Sequence, residues 1–330
     1  MIAEARSQLR QQWVESVLGH AVPITPLAGD ASFRRYFRVQ NTDDRSYVLM
    51  DAPPPQEDVR PFLAVRDWLD AAGLRVSALI AEERTAGLLL LEDFGDVTWA
   101  RFRAAGGDLA PLFTDALRQL SLLQAATPPA DLTLPPFDAA RMHRECDLYL
   151  DWYLPHVVGH KPDEDARSTF HAALAPWIDE LAALPRVPVH LDYHSRNLML
   201  PPDLERGEPA PPLGVIDYQD ALLGPLTYDL ASLLYDCYQD YPEPLRRHWS
   251  HHYFAQLPDH LASNFADFGA WHRAVRLTAL QRHIKAIGIF ARLAYRDGKR
   301  QFLDEIPLTR KHLHAELDAL SLAQLPLLVG

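Results

Sequence analysis

The hydrophobic pattern changes period at about residue 95, and this change constrains the fold more than any other feature of the chain. Before it, apolar residues come in short β-prone runs. Phe33, Tyr36, Phe37 and Val39 make one, Tyr47-Val48-Leu49-Met50 a second, and residues 77–81 and 87–91 two more, the last containing Leu88-Leu89-Leu90-Leu91. Gly29-Asp30-Ala31-Ser32 and Asn41-Thr42-Asp43-Asp44 have turn composition. One helix is expected among the runs. Pro53-Pro54-Pro55 forbids helix until Gln56, after which Phe62, Val65, Trp68, Leu69 and Ala72 recur at helical spacing as far as Gly73. An amphipathic helix at 4–19 leads the sheet. Beyond the change, helical spacing prevails at 108–125, 138–156, 163–183, 231–238, 244–256, 267–295 and 308–319. Two short segments interrupt it, Val187–Leu200 and Leu213–Ala221, joined by a proline-rich charged loop at 201–212. Sheet first and helices later predicts an α+β protein of two parts, 1–95 and 96–330.

Length agrees, since 330 residues is roughly two domains' worth. With 32 Lys plus Arg against 44 Asp plus Glu, the net charge is −12. Nucleic acid needs a basic face and an anionic membrane surface needs a basic patch, so neither is expected as a partner. No apolar run approaches the roughly 20 residues of a membrane span, and residues 1–16 lack the apolar core of a signal peptide. A cytoplasmic protein with no obligate protein partner is the expectation. Cys146 and Cys237 are too few and too far apart for a disulfide framework or a thiolate zinc site. Only four lysines occur, Lys161, Lys285, Lys299 and Lys311, so chemistry that needs a lysine has four candidates.

The segment richest in chemistry is His190-Leu191-Asp192-Tyr193-His194-Ser195-Arg196-Asn197, followed after the loop by Gly214-Val215-Ile216-Asp217. An acid, an amide five residues on, and a second acid closing an apolar β-like run suit phosphoryl transfer. That reaction asks for a carboxylate to accept a hydroxyl proton and oxygen ligands to hold Mg²⁺ on nucleotide phosphates. Asp192 fits the base, and Asn197 and Asp217 fit the metal. A metal cluster of His190, Asp192 and His194 is the competing reading, but it leaves Asn197 and Asp217 unexplained. Histidines 248, 251, 252 and 260 read as exposed helix positions, and Asp229 as the cap of the helix that follows it.

His190-x-Asp192-x₄-Asn197 with Ile216-Asp217 resembles the paired catalytic motifs of the aminoglycoside phosphotransferase and choline kinase superfamily. Gly29–Val39, Leu90–Gly95 and Gly224–Ala231 extend the resemblance. Tyr47–Pro54, Arg144–Leu148 and Leu280–Phe290 are similar to bacterial anomeric amino-sugar kinases. Those enzymes phosphorylate N-acetylmuramate and N-acetylglucosamine at the C1 hydroxyl in cell-wall recycling. The resemblance implies a bilobal protein-kinase-like fold. Residues 1–95 would be a nucleotide-binding lobe with an antiparallel sheet, and 96–330 a helical catalytic and substrate-binding lobe. It implies ATP and Mg²⁺ as cofactors and an amino sugar as substrate. ATP phosphates would lie under the hairpin loop at Gly29 and Ser32, with adenine at Glu92 to Phe94. Glu145 would hold the sugar, and Arg196 or Lys285 a carboxylate on it. It also makes His190 and Asp229 structural anchors.

Two departures stand out. Related kinases carry a phosphate-pairing lysine on the third strand, where Val48-Leu49-Met50 has none. Arg34 and Arg38, two and four residues from Tyr36 and Arg34 respectively and on one face by alternation, are the candidates to replace it. Many relatives carry Gly or Arg where Leu191 stands. A kinase of an aminoglycoside or small amino alcohol, and a non-catalytic nucleotide-binding module, are the alternative functions.

Overall fold

The computed structural model describes residues 2–27, 33–42, 45–200, 212–322, 325 and 327–328. In chain order its elements are α1 (Ile2–Leu18), β1 (Ile24–Pro26), β2 (Arg35–Gln40), β3 (Ser46–Asp51), α2 (Val59–Ala71), β4 (Leu79–Glu83), β5 (Leu88–Glu92), α3 (Trp99–Ala104), α4 (Ala110–Ala125) and α5 (Ala139–Leu148). A π-helix (Tyr149–Val158) continues α5, followed by α6 (Glu164–Ala182), β6 (Arg186–Val189), β7 (Leu198–Met199), β8 (Gly214–Val215), β9 (Leu222–Pro225) and α7 (Tyr228–Leu234). Then come α8 (Glu243–Phe254), α9 (Asp259–Ala262), α10 (Phe268–Tyr295), a 3₁₀ turn (Arg300–Glu305) and α11 (Ile306–Ala319).

The chain divides into two compact units, residues 1–97 with 199–219, and residues 98–198 with 220–330. The return of 199–219 to the first unit leaves no mark in composition, so a boundary drawn at 95/96 has no way to register it.

In the first unit five antiparallel strands lie in the order β1-β2-β3-β5-β4. Alternation sends Val39, Leu49, Leu88 and Leu90 to one face, where they form a core with Val14 of α1 and Val22. Asp51, closing β3 and almost fully buried, accepts from Arg6 at 2.6 and 2.9 Å and from Arg10 at 2.7 Å, fastening α1 to the sheet. The opposite parity carries Tyr36, Arg38, Val48, Met50 and Leu91, with Arg38 opposite Val48 and Val48 opposite Leu91. α2 starts where the sequence predicts: Asp58 caps it by accepting from the Arg60 N–H at 2.9 Å. It ends at Gly73, whose φ of +86° suits glycine. β8 joins this unit through the Val215 N–H, which donates to the Arg75 carbonyl at 2.8 Å.

The second unit is mainly helical, with β6 and β9 as a small antiparallel ribbon. Asp138, Asp163 and Asp267 cap α5, α6 and α10 through their side chains. α10 is its axis. Gly288 lets that helix approach the end of α5, because a Cβ there would stand 2.3 Å from the Leu148 carbonyl carbon. The single helix expected over 138–156 is instead α-helical to Leu148 and π-helical beyond, with the non-donating Pro155 inside the wide turns. α7 begins at Tyr228, earlier than predicted, so Asp229 lies in its first turn and does not cap it.

Candidate active site

In the second unit, residues 190–197 form a loop held by two buried carboxylates. Asp229, fully buried, accepts from the His190 N–H at 2.7 Å and from the Leu191 N–H at 3.1 Å. Asp236, also fully buried, accepts from the Ser195 N–H at 2.9 Å and the Tyr238 N–H at 2.7 Å. Each carboxyl accepts from two backbone N–H groups, so this arrangement fixes the loop at both ends. Burial pushes the Asp229 carboxyl up to about 7, against its two backbone donors and Arg282. Tyr193 pins the middle by donating its hydroxyl to the Ala116 carbonyl at 2.8 Å. Leu191 pays for the turn with a φ of +81°, a left-handed conformation that favours glycine.

This frame presents Asp192. Its N–H donates to His190 Nδ1 at 3.3 Å, and its carbonyl accepts from Asn197 Nδ2 at 3.0 Å. His190 is buried and serves the loop, which fits the anchor role. Burial works to raise the Asp192 carboxyl, but Lys285, His194, Arg282 and His190 outweigh it and hold the group below the usual carboxylate range. At neutral pH it is therefore a carboxylate. The bond from Asn197 also orients that amide, leaving Oδ1 as its acceptor end.

Glu145 stands on α5 opposite α10. It accepts from Arg141 Nε at 3.3 Å on one oxygen, and from Gln281 Nε2 and Lys285 Nζ, each at 3.3 Å, on the other. Lys285 also donates to the Tyr228 hydroxyl at 3.3 Å. The structure therefore brings together Glu145 and Lys285, and the charge of Lys285 reaches Asp192. Arg196 faces elsewhere: it is exposed, pairs with Glu305, and lays its guanidinium 3.6 Å over the Tyr238 ring.

In the first unit, Asp217 follows β8 with an exposed carboxylate and a φ of +66°. Aspartate tolerates that region better than most side chains, and strained backbone of this kind collects at functional sites. Gln219 Nε2 donates to its Oδ1 at 2.8 Å. Next to it Tyr218 packs on Phe62 of α2, ring centres 5.2 Å apart. Gly214 lies under the Phe94 ring, where a Cβ would come within 2.4 Å.

Both arginines expected to replace the strand lysine are in ion pairs. Arg38 is clamped by Asp93 at 2.6 and 3.2 Å and by Asp96 at 2.9 and 3.0 Å. Arg34 meets Glu57 at 3.2 Å, just ahead of α2. Glu92 is chelated by Arg75, which also covers the Phe94 ring at 4.8 Å. Burial pushes the Glu92 carboxyl up, but Arg75 and the Ala78 N–H bring it below its ordinary value. Gly29 and Ser32 lie outside the described residues.

The amide oxygen of Asn197 and the carboxylate of Asp217 are each of the donor type that suits a hard cation such as Mg²⁺. Among the described residues no group of three or more His, Cys, Asp or Glu is arranged to hold a metal, which removes the histidine-cluster reading. Asp236 is the site residue that sequence reasoning missed. Its signal was a carboxylate inside the apolar run Leu233–Tyr238, where only a buried acceptor role is affordable.

The chain matches the family model described as "Phosphotransferase enzyme family" over residues 23–264. It is 39% identical over 329 residues to a Pseudomonas aeruginosa protein named N-acetylmuramate/N-acetylglucosamine kinase, covering 95% of this chain and 92% of the relative. A Pseudomonas putida protein of the same name is 39% identical over 284 residues, with 86% and 80% covered. Among solved structures it is similar to a choline/ethanolamine kinase family protein from Mesorhizobium loti. There the TM-score is 0.64 and the identity 14%, with 98% of this chain and 97% of that one covered. An ADP-bound aminoglycoside phosphotransferase superposes with a TM-score of 0.60 at 13% identity, over 92% and 97% of the two chains. These likenesses establish the kinase-like α+β fold. No helix among the described residues is long and apolar enough to cross a membrane.

Proposed function

Because the chain belongs to the phosphotransferase enzyme family, we propose that it is an ATP- and Mg²⁺-dependent kinase of N-acetylmuramate and N-acetylglucosamine, acting at the anomeric C1 hydroxyl in cell-wall recycling. The observation that carries this reading is near-full-length identity of 39% to kinases of that name, joined to an ionised Asp192 presented by a doubly anchored loop.

The C1 hydroxyl is the most acidic on the ring, because the ring oxygen withdraws charge from the same carbon. A lone carboxylate therefore suffices to take its proton in a loose transition state. Asp192 accepts that proton as the sugar oxygen bonds to the γ-phosphorus. The bond from phosphorus to the bridging oxygen breaks, and its electron pair leaves on ADP. Asn197 and Asp217 would each offer an oxygen ligand to Mg²⁺, which when bound would neutralise charge on the phosphate oxygens. Glu145 accepts hydrogen bonds from the sugar. Arg38 is held by two carboxylates, so we assign the phosphate to Arg34, which pairs with Glu57.

Purified protein with MgATP and either sugar should yield the sugar 1-phosphate and ADP, identified by phosphorus–proton coupling at C1. The methyl glycoside should not react, and a 6-deoxy sugar should. Phosphorylation of the glycoside with none of the 6-deoxy sugar would make the enzyme a 6-kinase and end this reading.

A further inference from the structure

We propose that Lys285 is a catalytic residue whose ammonium, delivered from α10, serves the reacting oxygens beside Asp192; this rests on the kinase reading above. The four lysines of the chain differ sharply in setting. Lys161 is exposed, and Lys311 is 65% exposed in a surface pair with Asp240. Lys285 is 13% exposed and stands between Glu145 and the Tyr228 hydroxyl, 3.3 Å from each. Those partners belong to α5 and α7, so three helices converge on one ammonium.

Taking an ammonium out of water is costly, and an apolar or neutral side chain of similar volume at this position would avoid the cost. Here the charge is kept. Burial works against the protonated form, yet Tyr228, Glu145 and Asp192 more than offset it, so Lys285 stays an ammonium. It supplies the largest attractive influence on the Asp192 carboxylate. Arg282, one turn earlier and buried with its guanidinium 5.4 Å from the Tyr228 ring, adds a second positive charge on the same side. An ammonium of this kind has three donors. Glu145 and Tyr228 hold its direction, and the third N–H serves a ligand.

The transition state gains charge on the transferring phosphoryl oxygens while the acceptor oxygen loses its proton to Asp192. Fixed donors aimed at such developing charge stabilise the transition state more than the bound substrates. The sequence expectation gave Lys285 a different task, pairing with the carboxylate of the muramate. The two roles separate cleanly, because N-acetylglucosamine has no such carboxylate.

Lys285→Met and Lys285→Arg, compared with wild type on both sugars at saturating MgATP, test the assignment. Lys285→Met should lower kcat by about 100-fold or more on both sugars alike, the typical loss for one electrostatic donor. Its affinity for MgADP by calorimetry should stay close to wild type. Lys285→Arg should recover part of kcat. A loss confined to the KM of N-acetylmuramate, or kcat within threefold of wild type, overturns the proposal. Loss of MgADP affinity together with folding, unrelieved in Lys285→Arg, also overturns it and makes the residue structural. A wild type inactive on both sugars overturns the kinase reading itself.

Discussion

The loop of the second unit and the sheet of the first hold their functional charges in opposite ways. Around Asp192 the fixing groups are Asp229 and Asp236, fully buried and each bonded to two backbone N–H groups. On the sheet the fixing groups are side-chain ion pairs that solvent reaches: Arg34 with Glu57, Arg38 with Asp93 and Asp96, and Arg75 with Glu92. Backbone donors cannot rotate away, whereas an arginine fork can. The loop is therefore built to hold one geometry for the reacting atoms. A cation such as Arg34 can exchange its carboxylate for another anion more readily than the loop can move, as the proposed nucleotide role requires.

The largest effect should come from the loop. Asp192→Asn removes the proton acceptor and should lower kcat by about 10²–10⁴, with MgATP affinity nearly unchanged. More than a tenth of wild-type turnover would show that the rigid loop presents some other base.

Next comes the anchor. Asp229→Ala strands two buried N–H groups and should cost about 2–6 kcal/mol of stability by urea unfolding. The charge has its own signature. The Asp229 carboxyl is raised from 3.8 to about 7 in the fold. Between those values the native chain keeps a proton that the unfolded chain has lost, so this group's contribution to stability falls as pH rises from about 4 to about 7 and is level above. Asp229→Asn should flatten that slope. An identical slope in the variant would contradict the buried-carboxylate account of the loop.

On the sheet the two arginines should part company. Arg34→Ala should raise the KM for ATP by about tenfold, the worth of one charge-assisted bond. Arg38→Ala leaves the nearly buried Asp93 without its cation and should act on melting temperature, at about 1–3 kcal/mol, more than on ATP. The reverse pattern would exchange their roles.

The smallest effect sharpens the cost of the loop's geometry. Leu191→Gly and Leu191→Ala both lose the buried side chain, but only alanine keeps the left-handed strain. The glycine variant should be the more stable of the two by about 1 kcal/mol in urea unfolding. Equal stabilities would mean that the turn relaxes.

Much of this was legible in the sequence. α2 and α10 follow from apolar spacing, because that signal is local; their caps, Asp58 and Asp267, came only with the structure. Asp192, Asn197 and Asp217, whose roles belong to the proposed function, were singled out by type and spacing, since phosphoryl transfer restricts both. The left-handed backbone at Leu191 and Asp217 was not, because neither residue is the glycine that announces such a turn.

What the sequence by itself determined is the order of elements and which side chains are the candidates for the reactive groups. Periodicity and capping act within a few residues, and chemistry limits which side chains can serve. Only the tertiary structure decided which charges meet. It set Arg196 on Glu305, 109 residues away, Lys285 on Glu145, and Arg38 between Asp93 and Asp96. It also returned 199–219 to the first unit, carrying Asp217 there. A charged side chain's partner depends on what the fold brings within a few ångströms, and no local pattern encodes that distance.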